Sequence, residues 1–167
     1  LNSSEILRAA VEQVSRSTSR LVLVVGDAAA SPESVCVACA ELARHLGRDA
    51  LDVGVALSRR LLDMEPDVRA GAAARALADM FAAHGFPLVV VHLEFLFEPS
   101  LHIHPLAALR QAARAGLVVA AWPGTVRGAE LVYARPGHPE HRIDSTAGLH
   151  CVRLPAPSRS DSSRNWP

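Results

Sequence analysis

Three short stretches of the chain are apolar almost throughout: residues 21–25, 88–93 and 117–121. Each has the length of one strand, and such continuous apolarity predicts burial on both faces, as in a parallel sheet. Between them the apolar period lengthens to that of a helix. Ser4 can cap a first helix whose positions Ile6, Leu7, Ala10, Val11 and Val14 fall on one face. Ser31 as N-cap, Pro32 at the first helical position and Glu33 in the first turn predict a second helix. It should run to about Leu46, with Gly47 closing it. Residues 49–53 form a weaker strand candidate, followed by a helix through Val55, Leu57, Leu61 and Leu62 that stops near Pro66. An alanine-rich helix over residues 67–84 is closed by Gly85, and Pro105 opens another that ends at Gly116. After the turn Trp122-Pro-Gly-Thr, residues 127–134 read as a short terminal strand. Strands alternating with helices predict an α/β fold of three layers, a mostly parallel sheet of about four or five strands flanked by helices.

From about Ser145 the chain becomes rich in serine and proline, which divides it into a domain over residues 1–144 and a disordered tail over 145–167. No internal repeat is visible. A length of 167 residues suits one domain. The 17 basic and 17 acidic residues balance, so no global field attracts nucleic acid or an anionic membrane. No apolar run approaches the roughly 20 residues that span a bilayer. With no signal-peptide pattern at its start and three cysteines that make no disulfide framework, the chain reads as cytoplasmic, without a membrane partner.

The first strand ends at Gly26 and leads directly into a helix, the layout of a phosphate-binding loop. In an intact loop a second glycine, a lysine and a hydroxyl follow at fixed spacing, to curl the backbone round the phosphates, supply a cation and hold Mg²⁺. Those places are occupied here by Ser31, Pro32 and Glu33, and Asp27 and Ser34 flank them. Proline removes an N–H and glutamate places an anion where a triphosphate would lie. The acidic strand of such enzymes fares no better: Val91 or His92 stands at the expected aspartate, with Glu94 as the one candidate catalytic acid. No cofactor is therefore expected, and ATP with Mg²⁺ enters only if the degenerate loop still binds. Gly26 has a plainer reading as a tight turn between strand and helix.

Other constellations have similarly plain alternatives. Cys36 and Cys39 have redox spacing, but Cys36 lies a turn beyond the helix start, which favours two core thiols on one face. His102 and His104, and His138 and His141, could each pair on a metal, yet neither pair has a completing cluster. Arg59, Arg60, Arg69, Arg75, Arg110 and Arg114 are interspersed with acids, as on solvated helix faces. Trp122 is either a lid over the vacant crevice or a base-stacking residue, and the missing phosphate anchor favours the lid. The run Arg135-Pro-Gly-His-Pro-Glu-His-Arg142 reads as an extended, rigid segment that presents Arg135, His138, Glu140, His141 and Arg142 to a partner, or as a strap over a sheet edge.

Taken together, several stretches resemble BrxF, the family of small P-loop proteins in type-three BREX phage-defence systems. They are residues 21–26, Val53-Gly-Val-Ala-Leu-Ser58-Arg59-Arg60-Leu-Leu62, Leu93-Glu-Phe-Leu-Phe-Glu-Pro-Ser-Leu101, Val118-Val-Ala-Ala-Trp-Pro-Gly124 and Tyr133-Ala-Arg-Pro-Gly-His-Pro-Glu-His-Arg142. The resemblance spans about residues 4–142. It implies a P-loop NTPase-like fold and a place in a multiprotein antiphage complex, beside a large ATPase, a methyltransferase and a phosphatase-like component. It matches Gly26 to the first loop glycine and Glu94 to the glutamate of the acidic strand, while the second glycine, the lysine and the Mg²⁺-binding aspartate have no counterpart. The expected function is a non-catalytic scaffold or regulatory subunit. An ATPase completed by a partner and a DNA-binding accessory module are the alternatives, with DNA contact indirect and self-association open.

Overall fold

In strand β1 (Leu21–Gly26), Leu21, Leu23 and Val25 join one hydrophobic core while Val22 and Val24 join another. Both faces of this strand are thus covered, which is why its sequence is unbroken by polar residues. The computed structural model describes residues 2–156. Strands β2 (Leu51–Asp52), β3 (Leu88–Val91), β4 (Val118–Ala121) and, later in the chain, β8 (His150–Leu154) complete a sheet in the order β2-β3-β4-β1-β8. All its pairings are parallel.

Helices α1 (Ser3–Ser15) and α2 (Pro32–His45) cover one face through Leu7, Val11, Val14, Val35, Cys39 and Leu42. Helices α3 (Val53–Leu62), α4 (Pro66–His84) and α5 (Pro105–Ala112) cover the other through Leu57, Leu61, Leu77, Phe81 and Leu109. The molecule is therefore a three-layer α/β structure of the P-loop NTPase-like kind, with β1 inside the sheet and its C-terminal end leading into α2. No described helix is long and apolar enough to cross a membrane.

Local chemistry fixes the ends. Helix α1 is capped by Asn2, two residues before the expected Ser4: Asn2 Oδ1 accepts from the Glu5 N–H at 2.9 Å, and the Glu5 carboxylate accepts from the Asn2 N–H at 2.9 Å. This reciprocal capping box satisfies two donors that the helix cannot. Helix α2 starts as expected, with Ser31 as N-cap and Pro32 behind it. The weak strand over residues 49–53 shrinks to Leu51–Asp52, because Asp52 caps α3 by accepting from the Val55 N–H at 2.9 Å.

The end of the chain departs most from expectation. Residues 127–134 do not form one terminal strand. Strands β5 (Thr125–Arg127), β6 (Glu130–Tyr133) and β7 (Arg142–Ser145) make a separate antiparallel sheet, with the β5–β6 turn at Gly128, whose φ is +58°. Leu131, Val126 and Tyr133 lean this small sheet against the core beneath α3–α5. The disordered tail expected from Ser145 is also corrected, since residues 150–154 are the fifth strand of the main sheet. Val152 and Leu154 are buried against α1 and α2, and the Leu154 carbonyl accepts from the Asp27 N–H at 2.9 Å. The remainder of that expected tail, residues 157–167, lies outside the described residues.

Candidate functional site

At the C-terminal ends of β1 and β3 the starts of α2 and α3 converge, the place where open α/β sheets carry ligands. The loop after β1 is shaped by Asp27. Its Oδ1 accepts from the main-chain N–H groups of Ala29 and Ala30, both at 2.9 Å. A Cβ on Gly26 would stand 3.0 Å from Ala30 Cβ and 3.1 Å from the Ala30 carbonyl oxygen, so a side chain here would press on the turn. At the helix start, Ser31 Oγ accepts from the Ser34 N–H at 3.1 Å, and the Ser34 hydroxyl donates to the Ser31 carbonyl at 2.7 Å. Pro32 has no N–H to offer. Loop amides that would face a phosphate in an intact site already hold the chain's own oxygens.

The cation side of the crevice is filled in the same manner. Directly after β3, His92 adopts a left-handed backbone with φ of 54°. Its Nδ1 lies 2.8 Å from Asp52 Oδ2, and its Nε2 lies 3.5 Å from Glu33 Oε2. Burial works to lower the His92 pKa, but the Asp52 carboxylate, followed by Glu33, outweighs it and leaves the net value raised from the ordinary 6.5. The ring thus stands between two carboxylates. Glu33 is exposed and held only at its ring end, whereas Asp52 is fixed twice, by His92 and by its capping of α3.

Glu94 adds a further negative charge nearby. Glu94 opens the 3₁₀ turn Glu94–Phe97, half-buried, and its charge helps raise the pKa values of both Cys36 and Tyr133. No arginine among the described residues pairs with Asp27, Glu33, Asp52 or Glu94, and all 17 cationic side chains of this lysine-free sequence are arginine. A triphosphate placed here would meet carboxylates and one imidazole that is already paired with two of them.

The two thiols of the Cys36–Cys39 pair lie in the core, 6% and 0% exposed. Burial pushes both pKa values up, for Cys36 against a lowering hydrogen bond from the His92 main chain. Neither has the lowered pKa that redox chemistry needs. Cys151 is half-buried, and burial raises its pKa too, against the opposing charge of Arg153.

Trp122 is 2% exposed and stands in the core on the α3–α5 side, edge-on to Phe97 with ring centroids 5.4 Å apart. Phe97 in turn stacks on Tyr133 at 3.7 Å. The indole is neither a lid nor a surface on which a base can stack, because the small sheet and the turn at residues 94–97 enclose it. The segment from Arg135 to Arg142 is likewise not extended. It is a folded loop between β6 and β7, with the His138 N–H donating to the Arg135 carbonyl at 3.1 Å and the His141 N–H to the His138 carbonyl at 2.9 Å. Glu140 Oε2 accepts from the Tyr133 hydroxyl at 3.4 Å, and burial, then the charge of Glu140, pushes the Tyr133 pKa up to about 12. His141 Nδ1 faces the carbonyls of Tyr133 and Ala134 at 3.2 and 3.1 Å, which requires a proton on that nitrogen.

The fold brings His102, His104 and His141 to one cavity of about 340 Å³, together with Glu98, Glu140 and Arg142. No three histidine, cysteine or acidic side chains among the described residues are placed to hold a metal ion. Instead His104 caps α5 and its Nε2 lies 3.3 Å from Asp144 Oδ1. On α3, Arg59 and Arg60 are exposed, and the Ser58 hydroxyl donates back to the Gly54 carbonyl at 2.6 Å.

Asp52 is the crevice residue that the linear pattern hides. An aspartate before a helix signals a cap, but its meeting with His92 depends on the β2–β3 pairing that sets Asp52 opposite Val91. Comparison with protein-family models, with curated proteins and with solved structures gives no match.

Proposed function

We propose that this chain is a non-catalytic subunit of P-loop-like fold, a scaffold or regulator within a bacterial antiphage assembly of the BREX kind. It works in the cytoplasm beside a large ATPase and meets DNA only through its partners. The observation that carries the non-catalytic part is the Asp27 carboxylate seated on the Ala29 and Ala30 amides. An anion supplied by the chain itself competes with any phosphate for the same donors. The assembly part rests on the resemblance of the segments around Ser58–Leu62 and Tyr133–Arg142, whose Arg59, Arg60, Arg135 and His138 are exposed for contact.

Affinity capture of the tagged chain, co-expressed with the genes that flank it, tests this reading. It should recover a large ATPase in a stable complex, and Arg59→Ala with Arg60→Ala should weaken the recovery while leaving the chain folded. A chain that elutes alone contradicts the assembly role, and ATP turnover by the isolated chain contradicts the non-catalytic one.

A further inference from the structure

We infer that Glu33, His92 and Asp52 form a proton-operated latch that ties the start of α2 and the start of α3 to the end of β3. The inference is independent of whether the chain serves an antiphage assembly, since it concerns only how three elements are joined. Each carboxylate sits on a different element: Glu33 in the first turn of α2, Asp52 at the end of β2 and the cap of α3. The imidazole between them is anchored at 2.8 Å on one nitrogen and 3.5 Å on the other. Only a ring carrying both protons can donate to both acids at once.

The surroundings make the bridge depend on that charge. The groups that face or act on His92 are Asp52 from the β2–α3 junction and Glu33 from α2. Cys36, also from α2, is hydrogen-bonded to the His92 main chain, and Glu94 lies two residues on in the following turn. All of these are acids or a thiol with a raised pKa, and no arginine among the described residues pairs with them. Loss of the His92 proton therefore leaves two carboxylates sharing one hydrogen-bond donor, and among the described residues no other cation lies within ion-pair distance to replace the charge. Glu33, exposed and singly held, is the end that releases. Backbone contact carries the change further: a Cβ on Gly54 would lie 3.3 Å from the His92 carbonyl oxygen, so the first turn of α3 packs directly on the strained residue. Helix α3 presents Arg59 and Arg60 at its far end, which links the protonation state of the crevice to that surface.

The direction follows from the raised pKa. Because the folded value lies above the ordinary 6.5, the contribution of the latch is complete below about 6.5 and is lost as pH rises through the folded value. Hydrogen exchange of the full chain, corrected for intrinsic rate at each pH, reads it directly. In the wild type, amides of residues 28–36 and 53–57 should lose protection in one step as pH is raised, while those of β1 and β4 hold. His92→Gln should remove the step and show the released level at every pH. Asp52→Asn keeps a good cap for α3 and so retains the fold, but should shift the step to lower pH. NMR titration of the His92 ring should follow the same midpoint. Protection independent of pH in the wild type, or a step that survives His92→Gln, overturns the latch. Should His92→Gln fail to fold, an unmoved step in Asp52→Asn is equally decisive against it.

Discussion

Substituting Leu154 by alanine tests the reassigned end of the chain. Leu154 is 2% exposed, on the last residue of β8, and packs with Val152 into the core beneath α1 and α2. Truncation of a fully buried leucine removes its transfer energy and leaves a cavity, at a cost of about 2–5 kcal/mol. We take about 3 kcal/mol, which in a domain of this size lowers Tm by about 6–12 °C. Arg153, between the two buried residues and exposed, serves as the control: Arg153→Ala should stay within about 0.5 kcal/mol of the wild type. Truncation after Ser145 should be far more severe. It deletes Val152 and Leu154 together and uncovers the edge of β1, a loss comparable with the about 5–15 kcal/mol that stabilises a typical domain. Urea unfolding followed by far-ultraviolet circular dichroism measures each variant, with the slope m reporting whether the transition stays two-state. If Leu154→Ala and Arg153→Ala unfold at the wild-type midpoint, or the truncated chain unfolds cooperatively near it, β8 does not belong to the sheet.

Two further outcomes follow from the site. Asp27→Ala removes the acceptor of two loop amides and should cost about 1 kcal/mol, while Asp27→Asn, which keeps an oxygen there, should cost less; chemical denaturation measures both. Alkylation of the native protein should modify half-buried Cys151 first and leave Cys36 and Cys39 untouched until the chain unfolds, as peptide mapping by mass spectrometry would show.

How far the sequence could be read depended on how local each determinant is. The strands β1, β3 and β4 were legible because burial on both faces leaves no polar interruption, and α2 because Ser31, Pro32 and Glu33 signal its start within three residues. Strand β8 was not, since its His150-Cys-Val-Arg-Leu154 pattern is short, half polar and followed at once by a serine- and proline-rich run. As an edge strand it alternates where the central strands do not. The missing lysine and second glycine of the loop at Gly26 are plain in the sequence itself. That Asp27 would take the amides depends on its rotamer, and that Asp52 would meet His92 depends on a pairing across forty residues of chain. Trp122 failed as a lid for a similar reason: its cover includes Phe97, which is distant from it in sequence.

Thermal unfolding of the isolated chain with and without Mg·ATP shows whether the crevice is occupied by the protein's own charges. A ligand present at about 100 times its Kd adds about 2.7 kcal/mol to the folded state, and for a domain of this size that moves Tm upward by about 5–11 °C. With the loop amides held by Asp27, Tm should be unchanged at millimolar Mg·ATP. A saturable rise of several degrees would show that phosphate displaces Asp27 from the loop, and would contradict that occupancy.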